Sequence, residues 1–321
     1  MKLAQTWERI SAPVSEAAWE AVDIQEKARL ARTSGGGVAL LVPAEPVACE
    51  RYGLATEHIS YSPSLALEVE LNDGTRIDGD FSVLQCSAGE PVLVRQFLRI
   101  VESCLPSESL QHWETFDQTV RSVFELFRHL TSPGSRTAQG LWAELLLIAY
   151  ADDPALMVRA FHSDPNELHD FFADGTSLEV KSTTGALREH HFSLEQLEQG
   201  KDQLVVASLL LQEDVLGTTI NELVAKASAR IGEPELRRRL ESIVVLSLGS
   251  AWLAADQLRF GERAALETLR LFAAKDIPSL AQPIPTDIHH VRYVASLAGT
   301  APIRAEDPMA PLIATVFPLS G

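Results

Sequence analysis

Cysteine is nearly absent, with three in 321 residues, Cys49, Cys86 and Cys104. An odd number with no metal-ligand spacing excludes a disulfide framework and a thiolate zinc site, and it suits a reducing cytoplasm. No uninterrupted apolar run approaches the length that spans a bilayer. The opening Met1-Lys2-Leu3-Ala4-Gln5-Thr6-Trp7 lacks the apolar stretch of a signal peptide, so a cytoplasmic protein with no membrane partner is expected. Positive charge is also scarce: 27 Lys and Arg stand against 44 Asp and Glu, a formal net charge of −17. That balance excludes a broad basic surface that wraps nucleic acid non-specifically. It leaves room for a local basic groove or a basic partner subunit, and a metal centre inverts the local charge. Repeats, low-complexity tracts and coiled-coil heptads are missing as well.

What is present is ordinary for a globular chain, 46% hydrophobic and 22% charged. The length predicts two or three structural units. Residues 1–132 read as a β-rich unit ending in helices. Val38-Ala39-Leu40-Leu41-Val42 is strand-like, and Leu65 to Leu71 alternates before the hairpin signal Asn72-Asp73-Gly74. Val94, Phe97, Leu98 and Val101 then fall at helical spacing, as do Phe116, Val120, Val123 and Phe127. Thr131-Ser132-Pro133-Gly134-Ser135 crowds breakers together and predicts a linker. A helix over Ala138 to Ala151, apolar on nearly every side, follows it. Short strands alternate with turns to about 210. Thr219-Ile220-Asn221-Glu222 opens a further helix with a capping box. Helices are expected over Glu233–Glu241 and Gly261–Ala274, and a strand within Ile288–Leu297.

Several familiar site patterns fail. Ser34-Gly35-Gly36-Gly37 has no following Gly-Lys-Ser/Thr and is no phosphate loop. Gly249-Ser250 lacks the flanks of a nucleophile elbow. His289-His290 has no partners at zinc spacing. Arg237-Arg238-Arg239 fits a solvated helix face better than a phosphate contact.

The informative window runs from His169 to Lys181. Asp174-Gly175 is a favoured two-residue hairpin turn, since type I′ geometry wants positive φ at both central positions. That turn places Asp170 opposite Glu179, and the two-residue strand period puts Glu179 and Lys181 on one face. Phe171, Leu178 and Val180 then point into a core. Two carboxylates about 5 Å apart repel by roughly 3 kcal/mol at an effective dielectric of about 20. A hard divalent cation resolves that conflict, since magnesium is held by one or two carboxylates, waters and phosphate oxygens. A solvated charged hairpin face is the competing reading. Glu68 and Glu70 before Asp73-Gly74 are such a case, with no lysine in register. Glu144 adds a third acid, within Gly140-Leu141-Trp142-Ala143-Glu144-Leu145, on a helix apolar all round. A carboxylate there is costly unless paired or bound to a metal, and the alternatives to a metal are a paired arginine or a narrow wet stripe.

With these residues in place, Gly140 to Gln196 resembles the restriction-endonuclease-like PD-(D/E)XK superfamily. More narrowly, it is similar to the bacterial PD-(D/E)XK motif proteins encoded among phage-defence genes. The resemblance rests on Gly140-Leu141-Trp142-Ala143-Glu144-Leu145, Asp170-Phe171-Phe172, Leu178-Glu179-Val180-Lys181-Ser182-Thr183 and Arg188-Glu189-His190-His191-Phe192-Ser193-Leu194-Glu195-Gln196-Leu197. His169 stands where the motif name has proline, at a position that varies widely. The resemblance implies an α/β fold: a restriction-endonuclease-like core over 133–215 with a mixed central sheet flanked by helices. A mostly helical C-terminal segment over 216–321 would pack on that core. It further implies that Asp170 and Glu179 bind Mg²⁺ (with Mn²⁺ as a substitute), that Glu144 assists, and that Lys181 is catalytic. The expected reaction is hydrolysis of DNA phosphodiester bonds in a restriction or phage-defence system. A homodimer and partner proteins of that system remain open. The rival reading is a catalytically inactive nuclease-fold binding subunit of a defence complex.

Arg188, His190 and His191 are candidates for contact with the substrate backbone. The histidine pair equally fits a strand start with one ring buried and one exposed. Gln196 is a further candidate contact, although Ser193-Leu194-Glu195-Gln196 also fits a capping box.

Overall fold

The computed structural model describes residues 3–11, 13, 18–24, 28–33, 35–44, 52–87, 91–105, 113–129, 136–162, 167–198, 203–249, 251, 255, 257–280 and 291–304. The expected linker 131–135, Cys49, Ser250 and His289-His290 lie outside them. The chain divides into two compact units, Met1–Ser132 and Pro133–Gly321.

The first unit contains α1 (Leu3–Glu8), β1 (Ala18–Asp23), β2 (Arg29–Arg32), β3 (Val38–Pro43), β4 (Leu54–Ala55), β5 (Ile59–Leu71), β6 (Arg76–Cys86), α2 (Pro91–Cys104) and α3 (Trp113–His129). Its strands run in the order β1-β2-β3-β6-β5-β4, and β1 also pairs with β5. The second contact closes β1, β2, β3, β6 and β5 into a ring. A ring of an odd number of strands needs at least one parallel pair. Here that pair is β1 with β5, through Ala18↔Glu68 to Ala21↔Leu71. Closure removes the free edges at which β1 and β5 could recruit another chain. Ala21, Ala31, Ala39, Leu41, Val69, Phe81 and Val83 form one buried cluster of this unit. The hairpin expected at Asn72-Asp73-Gly74 joins β5 to β6, with Gly74 at φ 83°. Glu68 and Glu70 both pair with Arg76 across it, at 3.3 and 3.2 Å. They belong to a solvated face.

The second unit is a mixed α/β structure. It contains α4 (Ala138–Tyr150), α5 (Pro154–Ala160), β7 (Phe171–Ala173), β8 (Thr176–Thr183), β9 (Glu189–Ser193), α6 (Leu194–Glu198), β10 (Leu204–Leu210), β11 (Glu213–Thr218), α7 (Ile220–Arg230), α8 (Pro234–Leu248), α9 (Glu262–Thr268), β12 (Arg270–Ala273) and β13 (Arg292–Ser296). A four-stranded sheet has the order β12-β10-β8-β7. Its central pair β8/β10 is parallel, and both outer pairs are antiparallel. A separate antiparallel pair joins β9 to β13. β10 reads Leu-Val-Val-Ala-Ser-Leu-Leu and is buried for six consecutive residues. This is the continuous pattern of a strand covered on both faces. Leu204 and Val206 join Phe192, Leu197, Phe272, Ala295 and Leu297 in one core cluster. α4 is buried from Leu141 to Ala149 and starts at the Thr137 cap, whose side chain accepts from the Gly140 amide.

The helix expected over Gly261–Ala274 is a correction. It stops at Thr268, and Arg270–Ala273 instead forms β12 against Val205–Ser208 of β10. The Thr268 hydroxyl accepts from the Leu210 amide at 3.1 Å, which ties the helix end to the sheet. Tertiary pairing overrides local helical spacing there. Beside it, Phe260 bridges both Glu213 and Thr218 of β11. A Cβ on Gly217 would lie 2.6 Å from the Phe260 carbonyl carbon and oxygen and 2.8 Å from the Asp214 carbonyl oxygen. Phe260 stacks edge-on against Trp142 at 5.1 Å, so it has little freedom to retreat. Gly217→Ala is therefore expected to cost about 1–3 kcal/mol. An unchanged urea midpoint would show that the β11 backbone yields instead.

Candidate active site

The site forms where β7 runs out. The hairpin pairs Ala173↔Thr176, Phe172↔Ser177 and Phe171↔Leu178, as the Asp174-Gly175 turn requires. Both turn residues have positive φ, 47° and 78°. Pairing stops at Phe171, so among the described residues no strand lies beside the β8 edge beyond Leu178 on this side. The Asp170 side chain takes over: its Oδ2 accepts from the Val180 amide at 2.8 Å. Asp170 thus reaches β8 through its carboxylate.

Its other oxygen meets a residue outside the expected set. Arg136 Nη1 donates to Asp170 Oδ1 at 2.8 Å and lies 2.5 Å from Glu144 Oε2. Arg136 Nη2 donates to the His162 carbonyl at 2.9 Å, and the guanidinium covers the Phe161 ring at 4.7 Å. Glu144 projects from α4 and is only 4% exposed. Its Oε2 is buried and has the Arg136 guanidinium as its close cationic neighbour. Burial raises the Glu144 pKa well above the ordinary carboxylate range, and the Asp170 charge adds to that. Arg136 opposes it.

Glu179 is equally buried. Lys181 Nζ lies 2.7 Å from Glu179 Oε1, and Gln196 Nε2 donates to the same oxygen at 3.0 Å. Burial first, then the Asp170 charge, pushes the Glu179 carboxyl up to about 7, while Lys181 holds it down. Lys181 also sits over the Phe192 ring at 5.2 Å. Asp170, Glu179, Lys181 and Glu144 therefore meet around one edge of the sheet, with Arg136 as a fifth member.

Gln196 forms the cap that its spacing predicts and also reaches Glu179. Its Oε1 accepts from the Ser193 amide and its backbone N–H donates to Ser193 Oγ, at 3.0 and 3.2 Å, which completes a capping box at α6. The same side chain holds Glu179, so the cap orients the site. Arg188 is turned inward: Nη1 donates to the Ser208 carbonyl and hydroxyl at 2.8 and 2.9 Å, and Nη2 to the Thr268 carbonyl. His190 is buried, with Nε2 2.8 Å from Ser208 Oγ, while His191 is exposed on β9. Burial, then the Lys181 and Arg188 charges, lowers the His190 pKa to about 4, so its ring is neutral at pH 7. Arg239 donates to the Val158 and Phe161 carbonyls at 3.0 and 2.7 Å and braces the turn after α5.

Three carboxylates and no sulfur or imidazole make a donor set for a hard divalent cation. Glu144 Oε2, a buried carboxylate oxygen facing the same guanidinium as Asp170 Oδ1, fits that use. Among the described residues, no three His, Cys, Asp or Glu side chains are already gathered to ligate one ion. Arg136 bridges two of the three acids, and Lys181 holds the third.

Sequence reasoning missed Arg136. It precedes the Thr137 cap, and no helical or strand period relates such a residue to Asp170. The only signal was indirect, since an acid buried in α4 demands a cation. Among the described residues, no helix is long and apolar enough to cross a membrane. A family model described as "Putative PD-(D/E)XK family member" (DUF4420) matches residues 3–298. No curated protein and no solved structure matches the chain.

Proposed function

Since the chain belongs to the DUF4420 family of PD-(D/E)XK members, a nuclease-like family, we propose that it is a magnesium-dependent endonuclease hydrolysing DNA phosphodiester bonds in a restriction or phage-defence system. The observation that carries this reading is the meeting of Glu144, Asp170, Glu179 and Lys181 from a helix and a hairpin of distant sequence. Asp170 and Glu179 would hold the divalent ion, with Glu144 assisting. The bound ion would polarise the phosphodiester and lower the pKa of a coordinated water. Lys181 orients the attacking water or stabilises charge developing on the phosphoryl oxygens. Gln196 keeps Glu179 facing Lys181, and the Val180 amide keeps Asp170 against β8.

The test is cleavage of plasmid and phage DNA by the purified chain with Mg²⁺ or Mn²⁺, against an EDTA control. Lys181→Met is expected to lower the rate about 10²–10³-fold with the melting temperature preserved. Equal cleavage by this variant removes Lys181 from the mechanism. A strand-specific RNA substrate run in parallel distinguishes DNA from RNA.

One observation favours a second reading, a binding subunit without turnover. Asp170 is already paired with Arg136, and Glu179 with Lys181. A scaffold of that kind needs no metal, so calorimetry with Mn²⁺ separates the two. Heat of binding that disappears in Asp170→Asn supports the nuclease, and none in the wild type supports the scaffold.

A further inference from the structure

We propose that Arg136 is an exchangeable internal cation, holding the place between Glu144 and Asp170 until a divalent ion displaces it. This rests on the metal-dependent reading above and concerns how the same site is controlled.

The partners of each acid set the argument. Asp170 Oδ2 is tied to a backbone amide of β8, a fixed donor, and Oδ1 is held by Arg136 Nη1. Glu144 Oε2 lies 2.5 Å from the same Nη1, so one nitrogen sits between the two acids. An ion bridging these two carboxylates would need the space that Nη1 fills. Charge points the same way. With a divalent ion in place of Arg136, three carboxylates balance the ion and Lys181. With both present, the buried site carries an excess positive charge, which is costly in a low-dielectric interior.

The guanidinium also has somewhere to remain. Nη2 is held by the His162 carbonyl and the plane lies over Phe161, and neither contact involves the acids. A swing of the planar guanidinium about its Nη2 hydrogen bond would carry Nη1 away from the acids while the group stays over Phe161. In the metal-free protein, Arg136 suppresses repulsion among the acids. The consequence is a weaker apparent metal affinity, because the competent form is only a fraction of the molecules.

Calorimetric titration with Mn²⁺ of the full chain tests this, using wild type, Arg136→Gln and Asp170→Asn. If the clamped form holds nine-tenths of the molecules, Arg136→Gln binds about tenfold tighter. A merely structural arginine would give weaker binding, since its loss disorders the acids. Loss of binding in Asp170→Asn, with equal or weaker binding in Arg136→Gln, overturns the exchange and leaves the metal reading standing. Unchanged binding in Asp170→Asn removes the metal reading and the exchange with it. Should Arg136→Gln not fold, wild-type crystals soaked in Mn²⁺ decide. Nη1 withdrawn from Asp170 beside a bound ion supports the exchange, and Nη1 still on Asp170 overturns it.

Discussion

Glu179→Gln is expected to make the metal-free protein more stable at pH 8 while cleavage falls by about 10²–10³-fold or more. The carboxyl has its pKa raised from 4.5 to about 7, chiefly by burial. The folded state therefore holds a proton that the unfolded chain releases at lower pH. Stability from that proton is complete below about 4.5 and is lost as pH rises through about 7. Above that range the buried anion costs about 3 kcal/mol, and a neutral amide avoids the cost. The gain should be under about 1 kcal/mol at pH 5 and grow to about 3 kcal/mol at pH 8, read from urea melts across pH. Lys181 loses its partner in this variant, but it is partly exposed and keeps water. Destabilisation at pH 8 would mean that the Lys181 pair outweighs burial. Surviving cleavage would remove Glu179 from the metal set. In the wild type, metal binding must ionise Glu179, so affinity at limiting Mg²⁺ should rise with pH through the neutral range.

A buried acid that weakens the resting fold was readable in the sequence to a useful extent. Asp174-Gly175 specified its turn because positive φ at both positions leaves few alternatives, and the hairpin then placed Glu179 and Lys181 together. Thr219 and Glu222 form the capping box that their spacing implied. Glu144 stood out because nothing apolar around it satisfies a carboxylate. These are local signals, set by a turn, a cap or a strand period.

What stayed hidden depends on contacts without a sequence period. Asp170 bonds to the Val180 amide because β7 begins only one residue later in the chain, at Phe171, and strand length is a tertiary outcome. Arg270–Ala273 becomes a strand only because β10 offers an edge. The parallel closure of β1 on β5 joins segments about fifty residues apart. Arg188 and His190 looked available for a phosphate, but Ser208 and the Thr268 carbonyl engage them from β10 and the end of α9. Each partner lies on an element whose position the window around Lys181 could not reveal.

Arg136→Met is expected to destabilise the metal-free protein by about 3 kcal/mol at pH 8, at the lower end for a broken buried pair because the arginine is partly exposed. The variant leaves Glu144 facing Asp170 with no cation between them. Desolvation then acts on Glu144 unopposed, so its already raised pKa should climb further. That direction fixes the pH dependence. The folded state can escape the penalty by protonating Glu144, so the loss should shrink toward pH 5 and grow as pH rises. Adding Glu144→Leu to Arg136→Met removes the stranded carboxylate and should recover most of the loss. A double-mutant cycle by urea melts should give a coupling of about 2 kcal/mol between the two sites. Additive effects would show that Arg136 stabilises through His162 and Phe161 rather than through the acids. Saturating Mn²⁺ supplies a different test of the same pair. If an ion can take the guanidinium's place, the gap between Arg136→Met and wild type should narrow as metal is added, since binding to the folded state adds stability by mass action.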